Sequence, residues 1–301
     1  MVVWCVAGLP LLAAMAWGFT YLRARSSLEG LYQWYGDHLM FRSSGGFEGY
    51  TVREAAAHFR KQPEIFEPFI LQDLRARDGA WLSENMSLLW TRLVLRKTRL
   101  DPASYRRSRG LQAVVLWPHP SDRVLRAVTN LFNGGDVRVS HQALKAAAHV
   151  AAEADIIQPS LIEGVCDPDF FTPGTKWGDN DQVHLQMAAY QSLSNSVTFP
   201  VSMPDRLIEA LAEDRLHMWM YPRLIDLLLR VSPDSGPHAA EVLRSKIMRD
   251  PSGRPAEWPR RALRYLEETL GKRTRLDQSA GQPGGEASLS RDASAQAITT
   301  E

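Results

Sequence analysis

The sequence predicts an all-α protein: an N-terminal transmembrane helix followed by stacked antiparallel helix pairs. Three observations carry this expectation. No charged side chain occurs between Val2 and Leu22. Downstream, apolar residues recur at i, i+3, i+4 and i+7, the spacing of one face of a helix. From about residue 120 these helices fall into pairs whose second members lie about 40 residues apart.

The opening segment comes first in chain order. At about 1.5 Å per helical residue, Val2 to Leu22 would be roughly 31 Å long, enough for a bilayer core of about 30 Å. Gly8 and Pro10 within it are better tolerated in lipid than in water. Trp4 stands near one end, and Trp17 and Tyr21 near the other, where amphipathic rings favour the membrane interface. A cleaved signal would need a positive stretch ahead of its apolar core, and only Met-Val-Val-Trp precedes this one. Arg23 and Arg25 follow the segment instead, so the positive-inside rule puts the body in the cytoplasm, at the inner membrane.

Residues 23–105 read as a juxtamembrane helical region. Ser26 to Phe41 is rich in aromatics, and Ser43, Ser44, Gly45 and Gly46 break it. Thr51 and Glu54 form a capping-box pattern ahead of Val52, Ala55, Ala56 and Phe59, and Pro63 ends that helix. A further helix follows Pro68, and Leu82, Met86, Leu89 and Leu93 mark one face of another that runs towards Leu100.

The helix pairs occupy residues 106–271. The expected first members are Asp122 to Phe132, Pro159 to Val165, Pro204 to Ala212 and Pro237 to Met248; the second members are Ser140 to Ala152, Gln182 to Asn195, Tyr221 to Val231 and Pro255 to Leu270. Superposing Ala147-Ala148 on Ala188-Ala189 gives a spacing of 41, with small residues where neighbouring helices must approach closely. After Gly271 large apolar residues become scarce, so 272–301 is expected to be a disordered tail.

With "ALKAAAHVAAEADIIQPSLIEG", "HLQMAAYQSLSNS" and "MPDRLIEALAEDRLHMWMYPRLIDLLLR", the region resembles the HEAT-like α-solenoid repeat family. It departs from that family in a long insertion, Cys166 to Asp181, and in lacking regular Asp-Pro punctuation. An irregular helical bundle is the alternative architecture. The resemblance implies a curved surface that binds another protein, as a scaffold or adaptor does.

Composition and motifs exclude more than they assign. A net charge of +1 argues against whole-protein binding to a polyanion. Cys5 falls in the anchor and Cys166 stands alone in the body, which excludes a disulfide within the body. No GxSxG elbow, GxxxxGK[ST] loop, GxGxxG turn or HExxH pair occurs, so no cofactor is expected and catalysis is the less favoured reading. Three stretches remain as candidate sites. In the acidic insertion, Asp167, Asp169, Asp179, Asp181 and His184 could hold a divalent cation or support a membrane-tethered enzyme, although turn formation and helix capping are the favoured roles for such residues. The same stretch places Phe170, Phe171, Lys176 and Trp177 as a partner-contact surface. Between 92 and 109, Arg92, Arg96, Lys97, Arg99, Arg106, Arg107 and Arg109 face a single carboxylate, Asp101, and could lie against anionic lipid headgroups; nucleic acid is the less favoured polyanion.

Overall fold

Helix-capping residues and prolines set where the chain turns. A computed structural model describes residues 26–43, 50–77, 101–133, 136–150, 155–167, 169–171, 179–213, 216–249 and 257–280, with isolated positions 15, 18 and 22. Among them every regular element is helical: α1 (Leu28–Ser43), α2 (Tyr50–Lys61), α3 (Glu67–Leu74), α4 (Pro102–Val115), α5 (Asp122–Thr129), α6 (Val137–Val150), α7 (Gln158–Cys166), α8 (Asp179–Ser194), α9 (Met203–Ala212), α10 (Met220–Val231), α11 (Gly236–Arg249) and α12 (Glu257–Ala280). Short 3₁₀ turns at Pro63–Phe66 and Pro233–Ser235 precede α3 and α11. No helix among the described residues is long and apolar enough to cross a membrane; the expected anchor falls almost wholly outside those residues.

Starts follow local chemistry. Asp101 caps α4 by accepting from the backbone N–H groups of Ala103 (2.9 Å) and Ser104 (3.0 Å), with Pro102 filling a position where a missing N–H costs nothing. Ser121 caps α5 through the Val124 N–H and donates its own hydroxyl to Glu67 at the start of α3, 2.8 Å away. One expected cap is corrected: Thr51 lies inside α2, and Glu54 instead accepts from the Tyr35 hydroxyl of α1 at 3.3 Å. A tertiary partner has taken the carboxylate that the pattern assigned to the helix end.

Packing arranges these helices in two layers. In one, α3 packs on α5, α7 on α9 and α9 on α11; in the other, α4 packs on α6, α6 on α8, α8 on α10 and α10 on α12. Consecutive helices, α3 with α4 and so on to α11 with α12, close the layers on each other. Most of the expected apolar positions are buried, among them Val124, Val128, Leu161, Leu207, Leu211, Leu224 and Leu243. Ala146, Ala147, Ala188 and Ala189 are buried where α6 meets α8, as close approach requires.

Polar ties between neighbouring pairs recur at a similar separation along the chain. Arg206 of α9 grips Glu163 of α7 through two nitrogens at 2.8 and 3.1 Å, 43 residues apart. The Ser192 hydroxyl of α8 donates to the Leu144 carbonyl of α6, 48 residues away. Arg230 of α10 donates to the carbonyls of Ser194 and Ser196, and Tyr265 of α12 to Asp226 of α10, 39 residues away. Lys246 of α11 reaches the last carbonyls of α9, where a cation offsets the negative end of the helix dipole. From α6 onward the ties thus span 34 to 48 residues, close to the spacing visible in the sequence.

Two expected divisions differ from the observed helices. The division between residues 105 and 106 runs through α4, which packs on α1 and α3 as well as on α6. One hydrophobic core runs from Tyr32 to Leu266, so the juxtamembrane helices and the pairs share an interior. The final helix continues beyond Gly271 to Ala280, and residues 281–301 lie outside the described part. The expected helix over 82–100 also lies outside it.

Candidate functional site

Where α1, α3 and α4 meet, charged groups are buried in the core. The first half of α4 turns Tyr105 and Arg109 inward, α1 supplies Tyr32 and Asp37, and α3 supplies Asp73. Arg109, Asp37 and Asp73 have only 2, 3 and 2 % of their side-chain surface exposed. Arg109 donates to both oxygens of Asp73, Nε to Oδ2 at 2.7 Å and Nη2 to Oδ1 at 3.0 Å, and its Nη1 reaches Asp37 Oδ1 at 3.1 Å. The hydroxyls of Tyr32 and Tyr105 donate to Asp73 (2.8 Å) and Asp37 (2.6 Å), and Arg106 Nε donates to Asp73 at 2.9 Å. Two cations thus face two carboxylates, each carboxylate taking several donors, as buried charge requires.

The stem of Arg109 needs a gap to enter this core, and Gly36 provides it. A Cβ at Gly36 would lie 2.6 Å from both Cγ and Cδ of Arg109. Glycine inside a helix costs about 1 kcal/mol relative to alanine, so its place in α1 is explained by this approach rather than by propensity. The guanidinium also lies 5.4 Å from the ring centre of Tyr32 and 5.8 Å from that of Tyr105.

Electrostatics hold the donors of the cluster in their bonding forms. Burial, with the charge of Asp73 added, pushes the Tyr32 hydroxyl well above its usual range; burial and Asp37 do the same to Tyr105. Burial opposes the charge on Arg109, but Asp73 and Asp37 outweigh it and hold the guanidinium more firmly protonated than usual. Both tyrosines therefore stay protonated as donors and Arg109 stays charged near neutral pH. The adjoining cavity of about 40 Å³, bordered by Glu29, Gln33 and Gln72 beside the cluster, has room on the scale of a few waters, not a metabolite.

The sequence-predicted sites fare differently. Arg109 is buried, so the expectation that it lies against anionic lipid is corrected: its charge is consumed internally. Arg106 is bonded to Asp73 and Arg107 donates to the Ala76 carbonyl at 2.8 Å, while Arg92, Arg96, Lys97 and Arg99 lie outside the described residues. Phe171 is likewise corrected from contact surface to core, its ring packed over Gly164 of α7. Phe170 is half-buried and meets Phe171 edge to face at 5.1 Å; Lys176 and Trp177 lie outside the described residues.

Asp167 follows α7 and accepts from the Asp169 N–H at 2.8 Å, the turn geometry such residues favour. Asp181 and His184 sit on α8, and nothing is described of the Asp179 side chain. Among the described residues no group of three or more His, Cys, Asp or Glu could hold a metal ion. His141, across on α6, is held below its usual range by burial first, then by Lys145 and His184. Burial pushes the Cys166 thiol up to about 12, far from a nucleophile.

A second arrangement lies on the open face of the α8, α10 and α12 layer. Trp219, Arg223, Asp226 and Arg230 form one stripe along α10. Arg223 covers the Tyr190 ring of α8 at 5.9 Å, and Arg230 covers Phe199 at 5.4 Å. From α12, Trp258 meets Trp219 at 6.3 Å, Arg261 covers Trp258 at 4.7 Å, and the Tyr265 hydroxyl donates to Asp226. That hydrogen bond, with burial second, pushes Tyr265 up to about 12.

Fold and sites together define an all-α protein built of successively packed helix pairs. No family model matches the chain, and no curated protein or solved structure matches it. Sequence reasoning missed Asp37, Asp73, Tyr32 and Tyr105. The available signal was a lone carboxylate amid large apolar residues, in "LYQWYGDHLM" and "PFILQDL".

Proposed function

We propose that this is a single-pass membrane-anchored scaffold, a HEAT-like α-solenoid that binds another protein on the cytoplasmic side of the inner membrane. The observation that carries the reading is the succession of packing: each helix pair rests on the next, with polar ties 34 to 48 residues apart. A stack that buries its core pair by pair leaves long continuous faces uncovered, and such faces suit protein partners better than small substrates. Anchoring is supported by the charge-free Val2 to Leu22 and by Arg23 and Arg25 after it. Met15 and Leu22 are 62 and 69 % exposed, and nothing lies within 4 Å of a Cβ placed on Gly18, as suits a segment that gives its apolar side chains to lipid. The lock among Asp37, Asp73 and Arg109 then has a clear use, since it joins the helix nearest the anchor to the stack and transmits position from membrane to binding face.

Full-length protein should remain in membranes through a carbonate wash and should co-purify with a defined partner in mild detergent. Release by carbonate, or recovery of a mature chain lacking residues 2–22, overturns the anchor. Purification without any stoichiometric companion overturns the scaffold.

A further inference from the structure

We propose that the open face of α8, α10 and α12 is the docking surface, and that it takes an acidic amphipathic segment of the partner protein. The inference rests on the scaffold reading and gives it a place and a chemistry. Three helices contributed by three successive pairs bring rings and guanidiniums into one row. Trp219 is 52 % exposed and Tyr265 39 %, and Val197 and Val201 protrude from the loop beyond Phe199 at 78 and 97 %. That loop is braced: Gln158 donates to the Thr198 carbonyl at 2.6 Å and Arg230 to the Ser196 carbonyl at 2.9 Å. Little ordering entropy remains to be lost on docking, which favours affinity.

Charge decides the occupant. Arg261 is paired with Glu257, and Asp226 is engaged by Tyr265. Among the described residues Arg223 and Arg230 bond to backbone carbonyls, Trp219 for the first and Ser194 and Ser196 for the second. A guanidinium carries five N–H donors, so both retain donors suited to carboxylates. They stand two turns of α10 apart, about 10 Å, with the exposed Trp219 ring at one end and the half-buried Phe199 ring at the other. The matching ligand carries Asp or Glu about two helical turns apart, between aromatic or aliphatic anchors. Trp, Tyr and Arg are the residues that dominate interface energies, and here they are gathered on one face.

The test uses full-length protein in detergent and a displayed library of random peptides of about 12 residues. Enriched peptides are expected to combine carboxylates with aromatic or aliphatic residues and to lose affinity about tenfold or more to the Arg223→Glu/Arg230→Glu variant. Arg123→Glu/Arg126→Glu on α5 changes the net charge equally on other ground and should leave affinity within about twofold. Circular dichroism of both variants should match the parent. Enriched peptides without carboxylates, or peptides indifferent to Arg223 and Arg230, overturn this surface while leaving the scaffold reading intact. Single-stranded poly-uridine that binds in a manner abolished by the same variant, with no peptide enriched, overturns it in favour of nucleic acid. A library that yields no binder, together with the absence of a companion in mild detergent, overturns both.

Discussion

Replacing Arg109 with methionine removes one cation and leaves the stem volume nearly intact. In the parent that cation, together with Arg106, balances two carboxylates whose side chains are 2 and 3 % exposed. Removing one partner of a buried ion pair costs about 3–5 kcal/mol, because the surviving charge keeps its desolvation penalty without its compensation. For a domain of roughly 250 residues each kcal/mol lowers Tm by about 2–4 °C, so the expected fall is about 6–20 °C. Thermal unfolding of detergent-purified protein followed by far-ultraviolet circular dichroism measures it. Asp73 accepts from Tyr32, Arg106 and twice from Arg109, whereas Asp37 accepts from Tyr105 and Arg109 in the bonds described above. Asp73→Asn, which strips the charge from the acceptor of four of these bonds, should likewise lower Tm by several degrees. Gly36→Ala adds a control, destabilising by about 1–3 kcal/mol in the parent and far less in Arg109→Ala, where the space has been vacated. A fall below about 2 °C for Arg109→Met or for Asp73→Asn would refute the lock.

Further outcomes follow from the same structure. Gly164→Ala would place a Cβ 2.8 Å from Phe171 Cζ, and the overpacking should cost about 1–3 kcal/mol in chemical denaturation. His38 is buried, donates from Nδ1 to the Trp34 carbonyl at 2.7 Å, and is held below its ordinary value of 6.5, chiefly by burial. The unfolded chain therefore binds the proton more readily, so stability is complete above about pH 6.5 and declines as pH falls below it. His38→Asn should flatten that acid limb, and an unchanged slope in denaturation midpoints between about pH 6.5 and 5 counts against the assignment. With Cys5→Ser removing the other thiol, Cys166 should resist maleimide at pH 8 in native protein and react after denaturation; rapid native labelling would contradict its burial.

Apolar spacing is a local property of a helix, and for that reason α5, α7, α9 and α11 lie close to where Val124, Leu161, Leu207 and Leu243 place them. Prolines and caps sharpened the starts at Pro102, Ser121, Pro159 and Pro204. The capping pattern at Thr51 did not mark the helix start, which lies at or before Tyr50, and Glu54 of that pattern accepts from Tyr35, one helix away. Arg109 misled for a related reason. In the sequence it belongs to a run of cations with one carboxylate nearby, a pattern that suggests a solvated or lipid-facing charge. Its compensating carboxylates lie 36 and 72 residues upstream, and no local period connects them.

The chain alone determined that its regular elements are helices, where most of them begin, and that the pairs return about every 40 residues. Hydrophobic periodicity and capping act within a turn or two, so they can be read without the fold. Only the tertiary structure decided that Asp37, Asp73 and Arg109 share one buried site, that Phe171 lies in the core, and that Tyr190, Arg223 and Tyr265 share an open face. Those meetings depend on how successive pairs pack on one another. Charges and rings far apart in sequence meet only when that packing excludes water from one side of each helix and leaves it on the other.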